Sequence, residues 1–86
     1  MRQVETAVVI LNWNGEALLR CYLPAVVSTV KEEDALVVVA DNGSTDGSLR
    51  YVESTFPEVE VLRLGQNYGF ARGYNEAFKR LPNVVE

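Results

Sequence analysis

The sequence predicts an α/β protein, an open three-layer sandwich on a parallel sheet of βαβαβα units with strand order 3-2-1. Three observations predict it. Ala7-Val8-Val9-Ile10-Leu11 and Leu36-Val37-Val38-Val39-Ala40 are continuous β-prone runs, a third, alternating run lies at 59–64, and apolar residues at helical spacing follow each. Right-handed crossovers turn such repeats into one parallel sheet with helices on its faces, half of a doubly wound fold.

Both continuous runs read as strands buried on two faces. The first leads into Asn12-Trp13-Asn14-Gly15, and Leu19, Leu23, Val26, Val27 and Val30 then mark a helix that Pro24 is expected to kink. The second strand runs straight into Asp41-Asn42-Gly43-Ser44-Thr45-Asp46. Ser44 or Thr45 is placed to cap the second helix, with Asp46 in its first turn; Leu49, Val52 and Phe56 form its apolar stripe and Pro57 stops it. In the third strand Val59, Val61, Leu62 and Leu64 alternate with Glu60 and Arg63, which places it at a sheet edge. Phe70, Tyr74, Ala77, Phe78 and Leu81 give the third helix its apolar face, with Pro82 ending it. The first strand is left at the opposite edge with backbone groups unpaired, so a neighbouring chain or a further segment is expected to cover it; self-association through that edge is one such route.

With 86 residues there is one small domain at most. A net charge of −4 with scattered basic residues argues against a nucleic-acid partner. No apolar run approaches the roughly 20 residues of a membrane span, and a signal-peptide pattern is missing from the start. Cys21 is the only cysteine and is expected to be a packing residue. Without histidine, zinc clusters and Ser-His or Cys-His nucleophiles are excluded.

Chemistry concentrates where strands end, since ligands of open α/β sheets sit outside the carboxyl ends of the strands. Asn12, Trp13 and Asn14 offer two amides and an aromatic that suit a base, or else a turn and a packing residue. The loop is not the glycine-rich dinucleotide fingerprint, which counts against a nicotinamide or flavin enzyme. Asp41 closes a buried strand, where its carboxylate needs donors from the following turn or from a nucleobase imide. The same stretch fails as a calcium loop, because Gly43, Thr45 and Val52 stand where ligands are needed. Asn67-Tyr68-Gly69-Phe70-Ala71-Arg72-Gly73-Tyr74-Asn75 opens the third helix, and a mid-helix Gly73 costs about 1 kcal/mol relative to Ala, so something approaches closely there. Gly69, Gly73 and Ala77 form a small-residue stripe that suits either a nucleotide or another backbone.

Together, Val-Val-Ile-Leu-Asn-Trp-Asn-Gly at 8–15, Val-Ala-Asp-Asn-Gly-Ser-Thr-Asp-Gly-Ser at 39–48 and Asn-Tyr-Gly-Phe-Ala-Arg-Gly-Tyr-Asn at 67–75 resemble family-two glycosyltransferases of the GT-A fold. The order and spacing match over nearly the whole chain. The Asp-Asn-Gly-Ser form with Gly-Phe-Ala following is similar to the branch with rhamnosyl- and galactofuranosyl-transferases.

The resemblance implies inverting transfer of a sugar from a nucleoside diphosphate donor, UDP- or dTDP-linked, to a glycan or lipid-linked acceptor in cell-wall or polysaccharide synthesis. Nucleotide contacts would fall on Asn12, Trp13, Asn14, Asp41, Asn42, Gly43, Asn67, Gly69, Arg72 and Asn75. The family's Asp-x-Asp-like metal motif, which holds Mg or Mn, and its general base lie beyond the matching residues. Residues 1–86 therefore read as the N-terminal nucleotide-binding part of a longer catalytic domain, ending as a fourth strand starts, binding no metal itself and inactive alone. A cytoplasmic place, or one at the inner face of the membrane, is the corresponding expectation. The alternative is a stand-alone, non-catalytic nucleotide-binding or regulatory module.

Overall fold

A computed structural model describes residues 6–33 and 35–81. β1 (Ala7–Asn12), α1 (Glu16–Lys31), β2 (Leu36–Asp41), α2 (Ser48–Thr55), β3 (Glu60–Arg63) and α3 (Phe70–Arg80) follow one another, the expected βαβαβα order. Pro82 and the expected start of a fourth strand lie outside the described residues. The strands form one parallel sheet in the order β1-β2-β3, which is 3-2-1 read from the other edge. Its register sets Asn12 beside Asp41 and Asp41 beside Arg63, so all three strands end at one level and their loops emerge together.

Helices cover both faces, as a parallel sheet requires. On one face Leu19, Leu23, Val27 and Val30 of α1 and Tyr51 and Val52 of α2 bury Val37 and Val39, with Val8 and Ile10 partly covered. On the other, Ala77 of α3 packs with Ala40 and Leu64 beside Val9, Leu11, Leu62 and Tyr68. α1 continues through Pro24, which lies on the exposed side where water can satisfy the carbonyl it orphans.

Three expectations are corrected. Ala7–Leu11 is only half-buried whereas Val37–Ala40 is buried, because among the described residues β1 has a strand on one side alone. Cys21 is exposed on the outer side of α1 rather than packed. The largest correction concerns α3, whose buried residues are Gly73 and Ala77, while Phe70 and Phe78 are 72% and 55% exposed. The sheet takes the small-residue stripe, which allows close approach. The aromatic stripe instead forms a ladder outside, with Phe70 edge-on to Tyr74 and Tyr74 stacked on Phe78.

Candidate functional site

At the carboxyl end of the sheet the three loops are tied into one corner by buried amides. Asn12 is its hub. The Asn12 Nδ2 group donates to Asp41 Oδ1 at 3.0 Å, to Ser48 Oγ at 2.9 Å and to Ser44 Oγ at 3.1 Å, while Oδ1 accepts from the Gly15 amide at 3.2 Å. Asp41 Oδ2 accepts from the Ser44 amide at 2.9 Å. The carboxylate that sequence reasoning left needing donors thus receives one from its own turn and one from the neighbouring loop.

Asn14 and Glu16 complete the clasp. With φ at 48°, Asn14 adopts the left-handed conformation that asparagine tolerates better than most residues, and its Oδ1 accepts from the Thr45 and Asp46 amides at 2.7 and 3.2 Å. Glu16 Oε1 accepts from Gly47 N, and Glu16 N donates to Asp46 Oδ2. Neither Ser44 nor Thr45 caps α2, which corrects the sequence expectation, because the Ser44 hydroxyl is engaged by Asn12 and Asn14. Asp46, just ahead of α2, accepts from Ser48 N instead. The Ser48 hydroxyl bond is the main influence holding the Asp46 carboxyl below its ordinary value.

Asn42 joins the second loop to the third. Its Nδ2 donates to Gly69 O at 3.0 Å and its Oδ1 accepts from Tyr68 N at 2.9 Å. Gly43, at φ +83°, lets the loops touch: a Cβ there would stand 2.9 Å from the Gln66 carbonyl carbon. A Cβ on Gly73 would meet Asn42 Nδ2 at 2.9 Å and the Leu11 methyls at 3.0 and 3.1 Å, so this part of the stripe faces protein. Gly69, at φ +81°, opens to space.

The result is a buried polar floor under an exposed rim. Asn12, Asp41 and Asn42 are about 4% exposed or less. Trp13 is 55% exposed beside them, with Asn14, Asn67, Gly69 and Arg72 also on the outside. Arg72 lies over the Tyr68 ring at 5.1 Å, and Arg80 donates to Tyr68 Oη at 3.2 Å and to Leu64 O at 3.0 Å. A hydrogen bond from Gln66, and then the Arg80 guanidinium, pull the Tyr68 hydroxyl below its usual pKa. α3 starts at Gly69 with no side-chain cap, leaving the positive end of its dipole open. Asn75 is exposed, about 200° around α3 from the buried Gly73, so the structure does not bring it to the corner.

Sequence reasoning missed Glu16, Ser48 and Arg80. Each acts across about 16 to 36 positions of chain, a separation that no local spacing signals. A groove of about 230 Å3 runs from Trp13 along Ile10, Leu18, Tyr22 and Val26, and a cavity of about 320 Å3 sits at the opposite end of the sheet among Val27, Val30, Val37 and Val59. Among the described residues no three His, Cys, Asp or Glu side chains are grouped to hold a metal ion.

Residues 7–82 match the model of glycosyl transferase family 2. The chain belongs to that family. It is 35% identical over 61 residues to N-acetylglucosaminyl-diphospho-decaprenol L-rhamnosyltransferase of two Mycobacterium tuberculosis strains, covering 71% of this chain and 20% of theirs. An uncharacterized glycosyltransferase of Bacillus subtilis, YfnE, is 32% identical over 78 residues, 88% of this chain and 20% of its own length. No solved structure matches the chain. This glycosyltransferase-family chain thus spans about a fifth of the length of the curated relatives it matches.

Proposed function

We propose that this chain binds the nucleotide part of a nucleoside diphosphate sugar, UDP- or dTDP-linked, for an inverting glycosyltransferase of which residues 1–86 are the N-terminal nucleotide-binding part. The observation that carries the reading is the convergence of three loops on Asn12, Asp41 and Asn42, with one exposed indole beside them. Trp13 offers a stacking face to the base. Each Asp41 oxygen keeps a free lone pair after the bonds described above, and a pyrimidine imide N–H is the matching donor. Asn14, Asn42, Gly43, Asn67 and Gly69 shape the rim, and the uncapped start of α3 with Arg72 suits the diphosphate.

Donor sugar and acceptor follow by likeness alone. The mycobacterial relatives are named for rhamnosyl transfer to a decaprenyl-diphosphate-linked sugar, so a lipid-linked glycan acceptor at the inner membrane face, in cell-wall synthesis, is the corresponding proposal. Transfer requires neutralisation of the departing diphosphate and a base for the acceptor hydroxyl. Binding without transfer by residues 1–86 alone is part of the same proposal. A non-catalytic nucleotide-binding module would use the same corner.

The test is titration of Trp13 fluorescence with UDP and dTDP, repeated with Asp41→Asn, with melting measured on the same samples. Saturable quenching that is lost in a folded Asp41→Asn protein is expected. Unchanged titration in that variant would remove the base-binding role.

A further inference from the structure

Asn42 is 3% exposed, and its amide is spent entirely on the protein. Nδ2 donates to Gly69 O and lies against the Gly73 backbone, where a Cβ would stand 2.9 Å from it, while Oδ1 accepts from Tyr68 N. Its main chain is fixed as well. Asn42 N donates to Asn12 O at 2.8 Å, one step past the last register pair of β1 and β2. The side chain is therefore a strut from the sheet to the turn between β3 and α3.

That turn is where the strut acts. Gly69 has φ 81° and ψ −178°, a backbone conformation essentially limited to glycine, which persists only where the surroundings impose it. Two donors converge on its carbonyl at 3.0 Å each: Asn42 Nδ2 from the sheet and Gly73 N, which makes the first main-chain bond of α3. Asn67 Oδ1 accepts from Gly69 N at 2.7 Å and fixes the other side of the residue. In a trans peptide the N–H points opposite to the C=O, so a Gly69 carbonyl drawn inward onto Asn42 directs Phe70 N–H outward. The amides of Ala71 and Arg72 stand beside it, and none of the three has an acceptor within the helix.

We infer that Asn42 is a positioning residue, which does not touch the nucleotide but aims the first amides of α3 at its diphosphate. The inference rests on the nucleotide reading proposed above. It divides the corner between two neighbours in sequence. By the alternation of a strand, Asp41 turns to the face of α1 and α2, where Asn12 and Ser44 donate to it, and Asn42 turns to the face of α3. Position 41 then governs affinity for the nucleoside, and position 42 governs what the phosphates add to it.

Affinities of uridine and UDP, and of thymidine and dTDP, read from Trp13 fluorescence of the purified chain test this, with melting followed on the same samples. The ratio of diphosphate to nucleoside affinity reports the phosphates alone. Asp41→Asn should weaken both ligands by one factor and keep the ratio. Asn42→Ala should cut the ratio about tenfold, the worth of one hydrogen bond to a charged group. Should that variant fail to fold, Asn42→Ala combined with Gly73→Ala carries the test, because the methyl at 73 refills space beside Leu11 but restores neither donor nor acceptor. Melting is then expected to recover while the ratio does not. A folded double variant that keeps the parent ratio, or that loses nucleoside and diphosphate alike, would overturn the role of Asn42 and leave the nucleotide reading standing. A parent chain that binds diphosphate no better than nucleoside does the same, and one that binds neither overturns both.

Discussion

A side chain at position 73 would intrude on Asn42, and a double-mutant cycle measures it. Ala in place of Gly73 gains about 1 kcal/mol of helix propensity. The new Cβ, however, would lie 2.9 Å from Asn42 Nδ2, and Asn42 cannot retreat without breaking its bonds to Gly69 O and Tyr68 N. Overpacking of this kind costs about 1–3 kcal/mol, so Gly73→Ala alone should be destabilising by about 1 kcal/mol. Asn42→Ala alone loses two hydrogen bonds at about 1 kcal/mol each. In the double variant only the Leu11 methyls remain in the way, at the flexible end of a side chain, and the propensity gain reappears. The double variant should therefore melt as high as Asn42→Ala or higher, a favourable coupling of about 1–2 kcal/mol. At about 4–8 °C per kcal/mol for a domain this small, thermal melting at one fixed protein concentration resolves it. Additivity within about 0.5 kcal/mol would refute the claim that α3 packs on Asn42 through its glycine.

Gly43→Ala should destabilise more than Gly69→Ala, although both glycines have positive φ. Each suffers backbone strain of about 1–3 kcal/mol, but only at Gly43 does the Cβ also collide with backbone, so urea midpoints should separate the two variants in that order. Asp46 predicts a pH effect. Its carboxyl is held below the ordinary 3.8, chiefly by the Ser48 hydroxyl, so its contribution to stability is full above that value and lost as pH falls through the lowered one. Melting temperatures of Asp46→Asn should consequently change less than those of the parent across the acid range; equal acid sensitivity would contradict the assignment.

The framework was legible because each strand declares itself by β-branched runs and each helix by its period. Even the level at which Asn12 and Asp41 lie side by side follows from two strands of equal length ending in polar residues. Burial was less legible. Helical periodicity marks Phe70, Tyr74 and Phe78 as one stripe, but it carries no statement of which stripe meets the sheet when a glycine-alanine stripe on the same helix permits closer approach. For β1, composition gave two apolar faces while neighbour count depends on tertiary position, which leaves Ala7–Leu11 half-buried. In the corner, Asn12, Asn14 and Asp41 were readable as chemistry-bearing, yet the bonds of Asn12 to Ser44 and Ser48 were not, since asparagine and serine bond according to what the fold brings near.

Amide-resolved NMR titration of the chain with UDP or dTDP bears most directly on whether three loops make one nucleotide corner. The account predicts a single saturable process that shifts the Trp13 indole together with amides of residues 42–44 and 67–70. Shifts confined to one loop, or gathered around Val27, Val30, Val37 and Val59 at the other end of the sheet, would contradict it.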